Sequence, residues 1–531
     1  MADHADATAD GRPSRPAGSE VSSRPHVHEV AVIGGGVSGI GMGALLHRDG
    51  VEDFVLLEKA GALGGTWHQN TYPDCACDIP SHLYQFGFRP NPDWSRVFAP
   101  QPEIERYLSD VAEEHDLLRR TRFHTEMLDA RWDSGAGRWE ITTTRGRVLA
   151  RFLVLGTGSL HAANDTAIPG ADRFRGRTFH TSRWPAGYDG TGERVAVIGT
   201  GASSIQVTPA LQRRAARVTV FQRTPAWIQP RPNWRHSRFT RTLLRRSRSL
   251  RLVYRAAMWA AGEVMLRGSV DARLGAVLGL LPRLHLRLAV RDRRLRRALR
   301  PDYTMGCKRL LVSSDFYPAL QSPNAELIDS EVVEITEDSV VAADGRRRHV
   351  DTIVHATGFH FGAGFTARRI RGLNGVPLSE AWGGCPRGHL GTTVAGFPNL
   401  ALLWGPNTGT ASLFVTIEAQ VRYLLGMLRC MRERGIEALD VTAEAQDRFR
   451  ARAERKLAAS VVNVGGCLTW YADESGHNQL IWPGTMLGMW RELSRFDLGS
   501  YRDVSPRPVG GTVATAGAPV ASRPAAGTRG P

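Results

Sequence analysis

Glu58 lies 24 positions after Gly34, and Arg223 lies 24 positions after Gly199. Gly34 opens the turn Gly34-Gly35-Gly36-Val37-Ser38-Gly39, and Gly199 opens Gly199-Thr200-Gly201-Ala202-Ser203-Ser204. Turns of this kind cradle a pyrophosphate. Missing side chains let the phosphates approach, and the helix that follows offers free N–H groups and a positive dipole end. The residue downstream then sorts the ribose. A carboxylate at 58 accepts hydrogen bonds from ribose hydroxyls and repels a 2′-phosphate, whereas a guanidinium at 223 offers a planar fork to phosphate oxygens. The two copies predict FAD at the first turn and NADPH at the second. A polypeptide that holds both is built to pass electrons between them.

Each turn needs a strand before it and a helix after it. Val30 to Ile33 is a continuous apolar run, as in a buried parallel strand. It predicts a strand, a helix over Val37 to Arg48 and a second strand over Phe54 to Leu57. The same unit recurs with a strand at Val195 to Ile198, a helix from Ala202 to about Arg213, and a strand at Val218 to Phe221. Between the copies, 130–151 reads as an antiparallel hairpin, followed by a strand Phe152 to Leu155 that ends at Gly156-Thr157-Gly158. Thr352 to His355 ends similarly, at Ala356-Thr357-Gly358. The paired endings mark crossings between two domains. The expected class is α/β, with two Rossmann-like dinucleotide-binding domains and a helical insertion. A leader occupies 1–26, and the FAD domain is discontinuous, over 27–160 and 355–502. The NADPH domain lies between, over 161–354, and carries a basic helical insertion at 235–300. The leader and the 503–531 tail read as disordered.

The chain has 531 residues, 42% of them hydrophobic, enough for a large core. No apolar run is long enough to predict a spanning helix, and the N-terminus lacks a signal peptide's apolar stretch. Six cysteines, Cys75, Cys77, Cys307, Cys385, Cys430 and Cys467, are too scattered for a disulfide framework or a zinc pattern. Cys75-Ala-Cys77 is an isolated pair, weak support for a metal or a bridge, and no metal is expected. This usage predicts the reducing cytoplasm.

The net charge of +16 is not spread over the chain. Residues 231–300 hold nineteen Arg, no Lys and three acids, a balance that equals the whole excess. Leucines, valines and methionines recur there at near-helical spacing, which predicts an amphipathic helical segment with a solvated basic face. Only Lys59, Lys308 and Lys456 are lysines, a skew that argues against selection for nucleic-acid phosphate. Contact with a membrane surface or an acidic partner through 235–300 stays open.

The stretch Phe174-x-Gly176-x-x-x-His180-x-x-x-Trp184-Pro185 sits between the two turns. It resembles the fingerprint of the class I Baeyer–Villiger monooxygenases, a branch of the flavin-containing monooxygenase superfamily. Gly64-Gly65-Thr66-Trp67, Asn70, Tyr72-Pro73 and Cys77-Asp78 extend the resemblance, as do Gly306-Cys307-Lys308-Arg309, Ala356-Thr357-Gly358-Phe359 and Gly396-Phe397-Pro398-Asn399-Leu400. It continues through Gly405-Pro406-Asn407 and Gly466-Cys467-Leu468-Thr469-Trp470-Tyr471 to Leu480-Ile481-Trp482-Pro483-Gly484. About residues 28 to 500 are covered. The Trp184-Pro185 ending favours this branch over the nitrogen- and sulfur-oxygenating enzymes.

The resemblance implies that a ketone and O₂ become an ester or lactone and water, with NADPH as reductant. A peroxide at the flavin C4a carbon attacks the carbonyl, and a fixed cation stabilises the charge that develops. It implies Arg309 as that cation, held by Asp78. It implies FAD contacts at Gly34, Gly36, Ser38, Gly39, Glu58, Thr66, Trp67, His68, Gln69, Asp78, Tyr84 and Leu413. For NADP it implies Ala76, Cys77, Gly199, Thr200, Gly201, Ala202, Ser203, Ser204, Ile205, Gln206, Arg223, Thr224 and Lys308. Phe174, Gly176, His180 and Trp184 belong to a linker that couples NADP binding to domain movement. The stretch 405–412 runs almost directly into a helix from Val415 to Leu425, where several relatives have a longer loop, so the ketone is not specified. Oxygenation of a soft nitrogen or sulfur centre is the alternative activity. A redox scaffold that docks through its basic segment is the alternative from another class.

Overall fold

A computed structural model describes residues 25–360, 364–467 and 478–506. Residues 1–24, the tail from 507, and positions 468–471 of the C-terminal motif lie outside the described residues.

The first sheet contains Val27–Ile33 (β1), Phe54–Leu57 (β2), Thr121–Arg122 (β3), Met127–Asp133 (β4), Arg138–Thr143 (β5) and Gly146–Leu155 (β6). β1 runs parallel to β2 on one side and to β6 on the other, with Ile33 opposite both Leu57 and Leu155. Both faces of this centre are covered, which is why the sequence there is apolar without alternation. The helix Val37–Arg48 follows β1 directly. The predicted hairpin and the strand after it are not separate. β6 is one ten-residue strand that pairs antiparallel with β5 through Ala150 and parallel with β1 through Leu155. Alternation stops where the second face becomes covered, but the extended backbone does not.

The second sheet comes from the middle of the chain. Arg177–His180 (β7), Arg194–Ile198 (β8) and Arg217–Phe221 (β9) precede the short Ile228–Gln229 (β10). Leu311–Val312 (β11), Ala325–Ile328 (β12), the meander Val332–Ile335 (β13), Ser339–Ala342 (β14) and Arg347–His349 (β15), and Thr352–His355 (β16) complete this part. The order is β12-β9-β8-β16-β7, all parallel. Part of the fingerprint is therefore an edge strand and not a bare linker, since Arg177–His180 pairs along β16.

Five helices, Arg238–Arg246, Arg248–Val270, Ala272–Leu278, Leu280–Ala289 and Arg293–Ala298, lie between β10 and β11. Ile228 pairs with Leu311, so the two ends of this segment are pinned side by side. The expected solvated basic face is confined to the ends of the longest of these helices, at Arg248 and Arg267; its middle exposes apolar residues, while Arg251, Arg255 and Glu263 are only partly exposed. The preceding helix supplies carbonyls to Arg251, and the protein beneath supplies a carboxylate near Arg255 and a helix start to Glu263.

The chain then returns to the first sheet. Ile370–Arg371 (β17) joins β4, and Leu400–Leu402 (β18) joins β6 beyond its pairing with β5. The helix expected over Val415 to Leu425 spans Leu413–Arg434 and ends on Gly435 at φ +68°, a left-handed cap that glycine adopts without strain. Disorder expected from residue 503 does not hold at the start of that stretch, where residues 503–506 are described. Tyr501–Asp503 pairs antiparallel with Leu439–Val441, and the Ser505 hydroxyl accepts from the Glu437 N–H. At the other end His26 is paired with Asp53.

Candidate active site

A single cavity of about 1860 Å³ reaches both glycine turns, Glu58 and Arg223. Pockets for one small ligand run to about 1,000 Å³, so this one has room for more than one. The two turns share one device. Gly34 has φ +100° and Gly199 has φ +107°, a region that favours glycine. A Cβ on Gly34 would lie 2.6 Å from the Gly156 carbonyl oxygen, and one on Gly199 2.6 Å from that of Ala356. Each turn is thus pressed against one of the glycine-containing strand endings. A Cβ on Gly201 would meet nothing within 4 Å, and one on Gly36 would have its nearest neighbour at 3.5 Å. Open backbone at the two middle glycines fits a pyrophosphate at each turn.

The discriminating residues are held differently. Glu58 is buried, and its two oxygens accept from the N–H groups of Gly35 at 2.6 Å and Ala60 at 2.7 Å. A carboxylate has lone pairs left for a ribose. Arg223 is exposed on the cavity wall beside Lys308. Burial and the Arg223 charge push the Lys308 ammonium below its ordinary pKa. Among the described residues no carboxylate forms an ion pair with either cation, so the pair suits a dianion.

The expected contacts divide cleanly. Gly34, Gly36, Ser38, Thr66, Trp67, His68, Gln69, Asp78, Tyr84 and Leu413 line the cavity. So do Ala76, Cys77, Thr200, Gly201, Ala202, Ser203, Gln206 and Thr224. Gly39, Ser204 and Ile205 do not. A Cβ on Gly39 would collide with the Gly34 carbonyl oxygen, Ser204 is fully buried beside Thr208, and Ile205 packs in the core.

Between the turns lies a fixed cation. Arg309, two residues before β11, donates from Nε and Nη2 to the two oxygens of Asp78, both at 2.7 Å. Burial pushes the Asp78 carboxyl up, but the Arg309 charge and its hydrogen bonds prevail and hold it below its ordinary value. Such bidentate pairs fix geometry as well as charge. Burial raises the Cys75 thiol to about 12 and carries Cys77 well above its ordinary value, so neither offers a thiolate.

Three features that shape this site are not visible in the sequence. Arg231 reaches the Cys77 carbonyl at 3.3 Å and adds positive charge near Asp78. In sequence it is one member of a basic run, and its distance from Asp78 along the chain carries no signal. Gln206 is an expected ligand contact, yet its amide also pairs with the N–H and C=O of Ala76 at 3.2 and 3.0 Å. Tyr72 donates to the same amide at 3.1 Å. The third is a disulfide between Cys307 and Cys467, separated by 160 positions, which corrects the expectation of unbridged cysteines. Pairing at that separation leaves no local spacing to read. It anchors the residue directly before Lys308.

The fingerprint does not enter the cavity. His180 Nδ1 accepts from the Ser182 N–H at 3.1 Å, so Nε2 carries the proton and donates to the Gly358 carbonyl at 2.9 Å. Burial lowers its pKa, which keeps the ring neutral. Phe174 packs beneath the second sheet, and a Cβ on Gly176 would strike the Asp351 carbonyl. The Trp184 indole N–H donates to the Tyr188 carbonyl at 2.9 Å. The fingerprint's link to the cavity is Gly358, a wall residue.

Two dinucleotide cradles that open on one cavity, with a clamped arginine between them, define a pyridine-nucleotide-dependent flavoprotein. Residues 31–249 match a family described as pyridine nucleotide-disulphide oxidoreductase. A Baeyer-Villiger monooxygenase of Streptomyces coelicolor is 42% identical over 496 residues, 92% of this chain and 95% of the relative. One of Pseudomonas aeruginosa is 40% identical over 481 residues, 89% of this chain and 91% of the relative. The fold is similar to a closed crystal structure of cyclohexanone monooxygenase, with TM-score 0.80 and 27% identity over 90% of this chain and 99% of that one. An oxidised steroid monooxygenase bound to NADP gives TM-score 0.80 and 28% identity, over 88% and 97%. This chain belongs to the Baeyer–Villiger monooxygenase family.

Proposed function

We propose that the chain is an FAD-dependent, NADPH-consuming Baeyer–Villiger monooxygenase that converts a ketone and O₂ to an ester or lactone, with Arg309 as the catalytic cation. The observation that carries this assignment is the bidentate Arg309–Asp78 pair on the wall shared by both glycine turns. When bound, the flavin supplies oxygen activation and the nicotinamide supplies the hydride that reduces it. Arg309 faces the ketone oxygen as it gains negative charge, where a preorganised cation lowers the barrier. Asp78 is a positioning residue that keeps the guanidinium from swinging to solvent. Arg223 and Lys308 would hold the 2′-phosphate of NADPH, and Glu58 would accept from the ribose of FAD. The Gln206–Ala76 hydrogen bonds tie the two dinucleotide lobes together at the cavity wall. His180 carries movement of the fingerprint strand to the cavity wall through Gly358.

The two sheets support a division into an FAD domain, 27–160 with 355–502, and an inserted NADPH domain, 161–354. No helix among the described residues is long and apolar enough to cross a membrane. The need for NADPH supports a cytoplasmic site of action. Purified holoenzyme incubated with NADPH and a panel of cyclic, linear, aryl and terpenoid ketones, a thioether and an amine tests the activity. Esters or lactones from ketones support it; efficient nitrogen or sulfur oxygenation with no lactone overturns it.

A further inference from the structure

The helix Arg248–Val270 is unusual for a surface helix of a globular protein, because the middle of its solvent side is apolar as well as its inward side. Such helices turn apolar residues to the core and charges to water. Here Arg251 donates to the carbonyls of Leu244 and Arg245. Arg255 is largely buried, with the Glu418 carboxylate near it. Glu263 accepts from the N–H groups of Met486 and Leu487. The exposed stripe is Leu252, Val253, Ala256, Ala257, Ala260 and Val264, spaced three and four apart, with no exposed charge between Arg248 and Arg267. Leu252 is 58% exposed and Val253 66%.

The neighbouring helices also expose apolar residues, here interleaved with exposed arginines. Leu280, Leu281, Leu284 and Leu288 are exposed on Leu280–Ala289, the last at 72%, and Phe239 on Arg238–Arg246 at 76%. Exposed arginines fringe these residues: Arg246, Arg248, Arg267, Arg273, Arg283 and Arg287. The same segment carries the entire net charge of the chain.

We infer that this helical layer docks on an anionic lipid bilayer, with its apolar stripes in the headgroup boundary and its arginines on lipid phosphates. Apolar area and basic charge on one surface are the two contributions that hold interfacial helices to anionic membranes. Charge selects the occupant. A second copy would cover the stripes but bring an equally positive surface against this one. Nucleic acid would satisfy the arginines but leave the leucines in water. The inward side of the same helix, at Met258, Gly262, Met265 and Leu266, walls the cavity. Resting on the Baeyer–Villiger assignment, this makes a membrane-dissolved ketone the fitting substrate class.

The test is co-sedimentation of the FAD-loaded full chain with vesicles of phosphatidylcholine alone or mixed with phosphatidylglycerol. The chain binds the anionic vesicles and is released as salt rises. Arg246→Ser and Arg287→Ser each weaken binding about fivefold. A Leu252→Asp/Val253→Asp/Val264→Asp variant loses vesicle binding while its turnover of a water-soluble ketone stays at the parent level. Circular dichroism and flavin content report that this variant is folded. Absence of binding to anionic vesicles overturns the inference, as does binding that the aspartates leave unchanged. A lipid-free dimer that the aspartates dissociate also overturns it, by assigning the stripe to a second copy. Vesicle binding needs no turnover, so failure here leaves the oxygenase assignment standing, and the reverse.

Discussion

The turns at Gly34 and Gly199 share a backbone device yet end in opposite environments. Each first glycine has φ near +100° and presses on the carbonyl of a strand ending. At the first site the discriminating Glu58 is buried and locked by two backbone N–H groups. At the second, Arg223, Gly201 and Ala202 are exposed, and Lys308 stands nearby without a carboxylate partner among the described residues. The discriminating residue of one cradle is enclosed, and that of the other is open to solvent. The difference matches the duties of a flavin that stays through every turnover and a nicotinamide that must leave and be replaced.

Breaking the first cradle has the largest effect on the contrast. Gly39→Val forces side-chain atoms into the Gly34 carbonyl, so the purified variant emerges without the visible absorbance of an oxidised flavin, while the wild type carries it. Breaking the second cradle is milder and reversible. Arg223→Glu raises KM for NADPH roughly tenfold to a hundredfold, the worth of a charged hydrogen bond, with less effect on NADH and none on bound FAD. Steady-state kinetics with both reductants check this. His180→Ala removes the donor to the Gly358 carbonyl, a loss of about 1–3 kcal/mol in the coupling of the fingerprint to the cavity. Its kcat falls several-fold with flavin content unchanged.

The smallest effect is on acid stability. Asp78 has a depressed pKa in the folded state, so its pairing with Arg309 stabilises fully above the ordinary carboxylate value of 3.8. That contribution is lost as pH falls through the lower folded value. The acid-unfolding curve of Asp78→Asn therefore lacks the component that wild type shows below about pH 4.

Much of this was legible because it is local. The helix Val37–Arg48 and the strands Phe54–Leu57 and Thr352–His355 lie where the apolar runs and glycines put them. Glu58 and Arg223 could be read because their distance from a glycine is set by one βαβ unit. What escaped depends on partners far along the chain. Gln206 meets Ala76 from 130 positions away, and Cys307 meets Cys467 from 160. Arg231 and the partly exposed arginines of Arg248–Val270 look like solvated charge in sequence, since composition says nothing of burial. The linker reading of the fingerprint comes with the resemblance, and only β16 beside it shows that Arg177–His180 is a strand.

The assignment of Arg309 as catalytic cation is tested most directly by Arg309→Ala in the FAD-loaded enzyme, with ester formed per NADPH consumed as the readout. Ester yield falling by about 10²–10³, with FAD retained, is the predicted result, the usual loss when a preorganised charge stabiliser is removed. An unchanged yield would contradict it.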